Sequence, residues 1–144
     1  MEPTFENADV VAGPTRDRAA KILFWVFTAL FCLEMSFTAY FELTAQGGQA
    51  FARLGFPNSY FRFELSLAKL VGAVALLVPM IPSRLREWAY AGFAINLFSA
   101  VIAHLSISDQ PLAFVPSTLT SVLWAVSYFS WRRLQSVREN QSKY

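Results

Sequence analysis

The sequence predicts an all-α fold, a bundle of four transmembrane helices with both termini in the cytoplasm. Three observations carry that reading. Hydrophobic residues make up 55% of the 144 and charged residues only 15%, against roughly 45–50% and about 25% in soluble domains. The apolar residues gather into four runs, 22–41, 63–81, 88–107 and 113–131, each close to the ~20 residues that cross a hydrocarbon core. The basic residues then fall on one side. With the N-terminus inside, Arg16, Arg18, Lys21, Arg84, Arg86, Arg132, Arg133, Arg138 and Lys143 are cytoplasmic, and only Arg53 and Arg62 lie outside. Lysine and arginine set orientation in this way. A soluble bundle would need charges recurring along one face of each helix, and these runs lack them.

The elements follow in order. Residues 1–20 are polar, carry Pro3, Gly13 and Pro14, and read as a mobile cytoplasmic tail. No cleavable signal is expected, because the first apolar run starts only at Ile22 and is long enough to span. Between runs one and two, Gly47-Gly48 and Gly55-Phe56-Pro57-Asn58 read as chain breakers, with a short interfacial helix over 49–54. The second run ends at Pro79 and Pro82. The basic turn after it is so short that runs two and three must be antiparallel neighbours. Trp25, Trp88 and Trp131 mark the cytoplasmic interface as an aromatic belt. The membrane domain thus covers 21–133, and 134–144 is a second cytoplasmic tail.

Composition also excludes several function classes. A net charge of +2 with no basic stripe gives nucleic acid nothing to hold. The single Cys32 rules out an internal disulfide and any cysteine-based metal cluster, and it reads as a small buried apolar residue. No Gly-rich phosphate loop, nucleophile elbow, CxxC or HExxH is present. A lone His104 makes no metal site and cannot give bis-histidine haem.

What remains are polar residues at membrane depth. A charge there costs about 2.5–3.5 kcal/mol on insertion scales, so it is paired or functional. Glu34 and Lys69 enter from opposite sides yet reach the same level in the outer half. His104 lies one turn below the outer end of the third run, Asn96 nearer the middle, and Glu42 and Glu64 at the outer boundary. The candidate intramembrane site is therefore Glu34, Lys69, Asn96 and His104. Glu34 and Lys69 are expected to pair, facing a cavity open to the outside, with His104 above and Asn96 below. The plainer readings are a purely structural Glu34–Lys69 pair, a Lys69 that snorkels outward, and a His104 bonded to a backbone carbonyl. Small and polar residues share faces on run two (Ser66, Lys69, Gly72, Ala73, Leu76), run three (Gly92, Asn96, Ser99, Ala103, His104) and run four (Ser117, Ser121, Trp124, Tyr128). Such stripes mark the packed side of a membrane helix, so close approach is expected at Gly72 and Gly92.

Leu54-Gly55-Phe56-Pro57, then 67–73 (LAKLVGA), Pro79, 87–93 (EWAYAGF) and Ala103-His104 resemble the DoxX-like membrane proteins. The likeness covers about residues 22–131. It implies a four-helix membrane bundle. It carries no catalytic motif to place on these residues. Founding DoxX proteins are associated with quinone-linked sulfur oxidation, so a quinone is the one cofactor this resemblance implies, by analogy of fold. Three functions are open. The chain is expected to be an accessory or assembly subunit of a membrane complex, in the lipid bilayer and against a protein partner. Alternatives are a quinone- or lipid-linked oxidoreductase subunit in which Glu34, Lys69 and His104 handle protons, and a small transporter.

Overall fold

The computed structural model describes residues 13–141, so the readings of 1–12 and 142–144 as tails lie outside the described residues. All regular elements described are helical. They are α1 Gly13–Leu43, α2 Ala45–Arg53, α3 Ser59–Leu77, α4 Ser83–Ser106 and α5 Val115–Gln141, the last preceded by a 3-10 turn at Pro111–Phe114.

The helix ends depart from the apolar runs for local reasons. α1 starts at Gly13 rather than Ile22; Pro14 stands in its first turn, where a missing N–H costs nothing. α3 ends at Leu77 rather than Ile81 because Val78, preceding Pro79, is extended with ψ 116. Arg86 then donates to the Val78 carbonyl at 2.7 Å and stitches the turn to α4. α5 continues well past Trp131 to Gln141.

Gly47 and Gly48 do not break the chain. They lie inside α2, whose first turn is capped by Thr44 Oγ1 accepting from the Gly47 amide at 3.2 Å. A Cβ on Gly47 would stand 2.2 Å from the Phe41 carbonyl oxygen. The glycine is there to let α2 fold back against the end of α1.

α1 packs along both α3 and α5, and α4 closes the ring between those two. Neighbours run antiparallel, as the cross-links show. Thr28 meets Ser127 while Glu34 meets Thr120, and Cys32 meets Ala73 while Glu42 meets Ser66. The inner core is aromatic: Phe24, Phe31, Tyr90, Phe93 and Trp131 are all buried. Phe31 and Phe93 meet edge-to-face at 4.9 Å. Trp131, expected in an interfacial belt, is instead a core residue against Tyr90 and Tyr128. A fully buried hydroxyl chain runs from Thr28 through Ser127 to Tyr90, each step 2.6 Å.

Three helical stretches, Arg18–Leu43, Ser83–Ser106 and Pro111–Asn140, are long and apolar enough to cross a membrane. α3 carries Arg62, Glu64 and Lys69 and falls short of that measure on charge. Large apolar side chains point outward all around: Leu33, Phe37, Ile95, Phe98 and Phe129 are each more than 65% exposed. A surface of that kind suits hydrocarbon, since water-soluble monomers do not expose contiguous apolar surface on this scale.

Candidate functional site

A cavity of about 1110 Å³ lies between α1, α3, α4 and α5, with α2 and the α4–α5 turn at its mouth. It is at or above the upper end of the roughly 300–1,000 Å³ typical of ligand pockets. Glu34, Lys69, Asn96 and His104 all line it. The small-residue stripe of α4 lines it too: Gly92, Asn96, Ser99, Ala103 and His104 face this space. The buried face of α4 is instead Arg86, Tyr90, Phe93 and Leu97. Gly72 does lie close to α4, where a Cβ would meet the Phe93 ring at 2.8 Å. Gly92 has open space where its Cβ would be, so the close approach expected there does not occur.

The ion pair differs from the expected one. Lys69 Nζ pairs with Glu42 Oε1, and both side chains are less than 10% exposed. Glu42 Oε2 accepts from Ser66 Oγ at 3.0 Å. Arg62 Nη1 donates to the Glu42 carbonyl at 2.7 Å and to the Thr44 carbonyl at 3.2 Å, capping the end of α1. Counting residues puts Glu42 at the outer boundary. It is buried because α2 folds over it. Lys69 reaches Glu42 because Arg62, Ser66 and Lys69 recur at i, i+4, i+7 and form one polar stripe along α3. That spacing was the signal in the sequence for an acceptor at the end of α1.

Glu34 is thereby left without a cation of its own. Its Oε1 lies 2.9 Å from Thr120 Oγ1, and its Oε2 is buried with no hydrogen-bond partner. Thr120 Oγ1 also lies 2.8 Å from the Pro116 carbonyl. One hydroxyl proton has two acceptors in reach. With Glu34 ionised, Thr120 donates to it. With Glu34 in its acid form, the carboxyl donates to Thr120 and the hydroxyl donates onward to Pro116. Glu34 can exchange a proton without either neighbour moving.

At the mouth, Asp109 ties three elements together. Its Oδ1 pairs with Arg53 at the end of α2, and its Oδ2 lies 2.9 Å from His104 Nδ1. The His104 partner is this carboxylate, not a backbone carbonyl. The His104 bond above all, against the opposing effect of burial and with help from the Gln110 amide and Arg53, holds the Asp109 carboxyl below its ordinary range. Arg53, Asp109 and Thr120 were not singled out in the sequence. Asp109 follows His104 by five residues around a helix end, which is the only local hint.

The family model of the DoxX-like family matches residues 26–126, well over half of the chain and the part that holds this cavity. The chain belongs to the DoxX-like family. Comparison with curated proteins and with solved structures found no match to this DoxX-like chain. Family and apolar helices together point to a membrane protein.

Proposed function

We propose that this DoxX-like protein is a multi-pass protein of the cell membrane, with four spans and both ends inside. In this reading its cavity binds the polar head of a lipid-soluble molecule, of the quinol or lipid-alcohol kind. α3 serves as the fourth span because Lys69 is neutralised by Glu42 within the protein. The observation that carries the ligand reading is Glu34, a carboxyl at the wall of a large cavity with one oxygen unpartnered. An orphaned buried acceptor costs about 1–3 kcal/mol. Rotation of the carboxyl about its soft terminal torsion would offer that oxygen to a donor in the cavity. A hydroxyl head group supplies the donor, and Thr120 gives the proton a second place to go. The transporter reading loses support, since Lys69 is not a free cation facing the space. The outward apolar faces suit lipid as well as a protein, so they do not favour a docking subunit.

The test is the lipophile content of the full chain purified in mild detergent. About one equivalent of a hydroxyl-bearing lipophile should co-purify, and Glu34→Gln should lose most of it with its melting temperature unchanged. Equal content in parent and variant would refute the role of Glu34. Orientation is checked by reporter fusions after Gln110 and Tyr144; a periplasmic reporter active at Tyr144 refutes the topology.

A further inference from the structure

A second space opens on the outside of the helices, along the seam of α3 and α4. It is a groove of about 650 Å³ with almost entirely apolar walls. Ala68, Val71 and Ala75 form one side, and Leu85 and Trp88 the other. Four residues, Leu65, Lys69, Gly92 and Asn96, line both this groove and the central cavity. The two spaces therefore border one another at these residues, where Gly92 contributes no side chain and where a Cβ would touch nothing within 4 Å. From that junction the groove leads toward the turn at 78–82 and ends near Ile81, Leu85 and Trp88. Trp88 is 74% exposed, so this end faces the surroundings of the helices and not the core.

We infer that the ligand is a single-chain lipophile, held with its hydroxyl head in the cavity by Glu34 and its hydrocarbon tail in the α3–α4 groove. This rests on the cavity reading above and adds the tail site and the route. The occupant is fixed by continuity. A groove that opened only to the bilayer would hold any lipid chain. One that runs into a polar cavity past a glycine fits a molecule that is polar at one end only. Gly92 is then the sill over which the chain passes. The ligand reaches Glu34 sideways from the bilayer, and the mouth at Arg53, Asp109 and His104 need not open.

The test uses the full chain in phosphatidylcholine nanodiscs and a hydroquinone bearing a ten-carbon tail with a terminal diazirine. After irradiation, labelling should concentrate on Ile81, Leu85 and Trp88. Gly92→Leu should reduce it about tenfold, the effect of placing a side chain where the tail must lie. Ala68→Leu on the opposite wall should do the same, and both variants should melt like the parent. Label spread evenly over outward residues such as Leu33 and Phe98 would show a probe merely dissolved in lipid and overturns the proposal. So does groove labelling that both variants leave unchanged. Excess unlabelled decylhydroquinone and 1-decanol separate a quinol head from a plain alcohol by which one displaces the label; displacement by neither also overturns it. The cavity reading fails separately, if Glu34→Gln leaves labelling and displacement as in the parent.

Discussion

The buried pair of Lys69 and Glu42 gives the sharpest test of how α3 is held. Both side chains are less than 10% exposed, and Ser66 occupies the second carboxylate oxygen. Removing one partner of such a pair costs about 3–5 kcal/mol, because the other charge stays buried without compensation. Lys69→Met leaves the Glu42 carboxylate with Ser66 alone. Glu42→Gln leaves an ammonium group in a nearly closed site. For a chain of about this size, 1 kcal/mol moves Tm by roughly 2–4 °C, so each single change should lower it by about 6–20 °C. The double change Lys69→Met/Glu42→Gln leaves no stranded charge and should recover at least half of the loss. The assay is thermal unfolding in one detergent, followed by circular dichroism and repeated across pH 6–8. Three results would refute the reasoning. Additive losses in the double variant would show that the residues do not interact. Singles within 2 °C of the parent would show an exposed pair, worth about 0–1 kcal/mol. A Lys69→Met loss rescued better by Glu34→Gln than by Glu42→Gln would return the partnership to Glu34.

Two further outcomes follow from the glycines and the mouth. Gly72→Leu drives a side chain into the Phe93 ring, 2.8 Å from its Cβ, and should cost about 1–3 kcal/mol. Gly92→Leu should melt like the parent, and an equal loss in both would mean that the α3–α4 seam is packed otherwise. Asp109 is held below its ordinary range, chiefly by His104. Its contribution is therefore fully present above the usual carboxylate pKa of about 4 and is lost as pH falls through its lower folded value. Hydrogen-exchange protection, taken relative to the intrinsic rate at each pH, should fall in α2 and across residues 106–111 in that acid window, whereas in Asp109→Asn it should be low at every pH.

Much of the architecture could be read from the chain. Four apolar runs gave four long helices, three of them long and apolar enough to cross a membrane, because length and hydrophobicity are local properties. Of the stripe Ser66, Lys69, Gly72, Ala73, Leu76, all but the half-buried Gly72 form the buried face of α3, for the same reason. What could not be read was set by contacts between elements. Depth counted along one helix brought Lys69 level with Glu34. The deciding factor was α2, a nine-residue helix that buries Glu42; the short helix expected over 49–54 starts four residues earlier, because the two glycines lie inside it instead of before it. Likewise, small residues on α4 signal absence of bulk, but the sequence does not say whether a helix or an empty space fills the gap. At Gly72 it is Phe93; at Gly92 it is the cavity.

The pairing of α1 with α5 also bears on how the chain is made. Thr28 bonds Ser127 across 99 residues, and Glu34 bonds Thr120 across 86. At about 5–20 residues per second, α1 is complete roughly 5–20 s before its partner on α5 exists. Through that interval the hydroxyl of Thr28 and the carboxyl of Glu34 lie in α1 without their α5 partners. The helix that completes the ring is also the one that satisfies them. α5 therefore closes the bundle and, at Thr120, finishes the polar wall of the cavity in the same event.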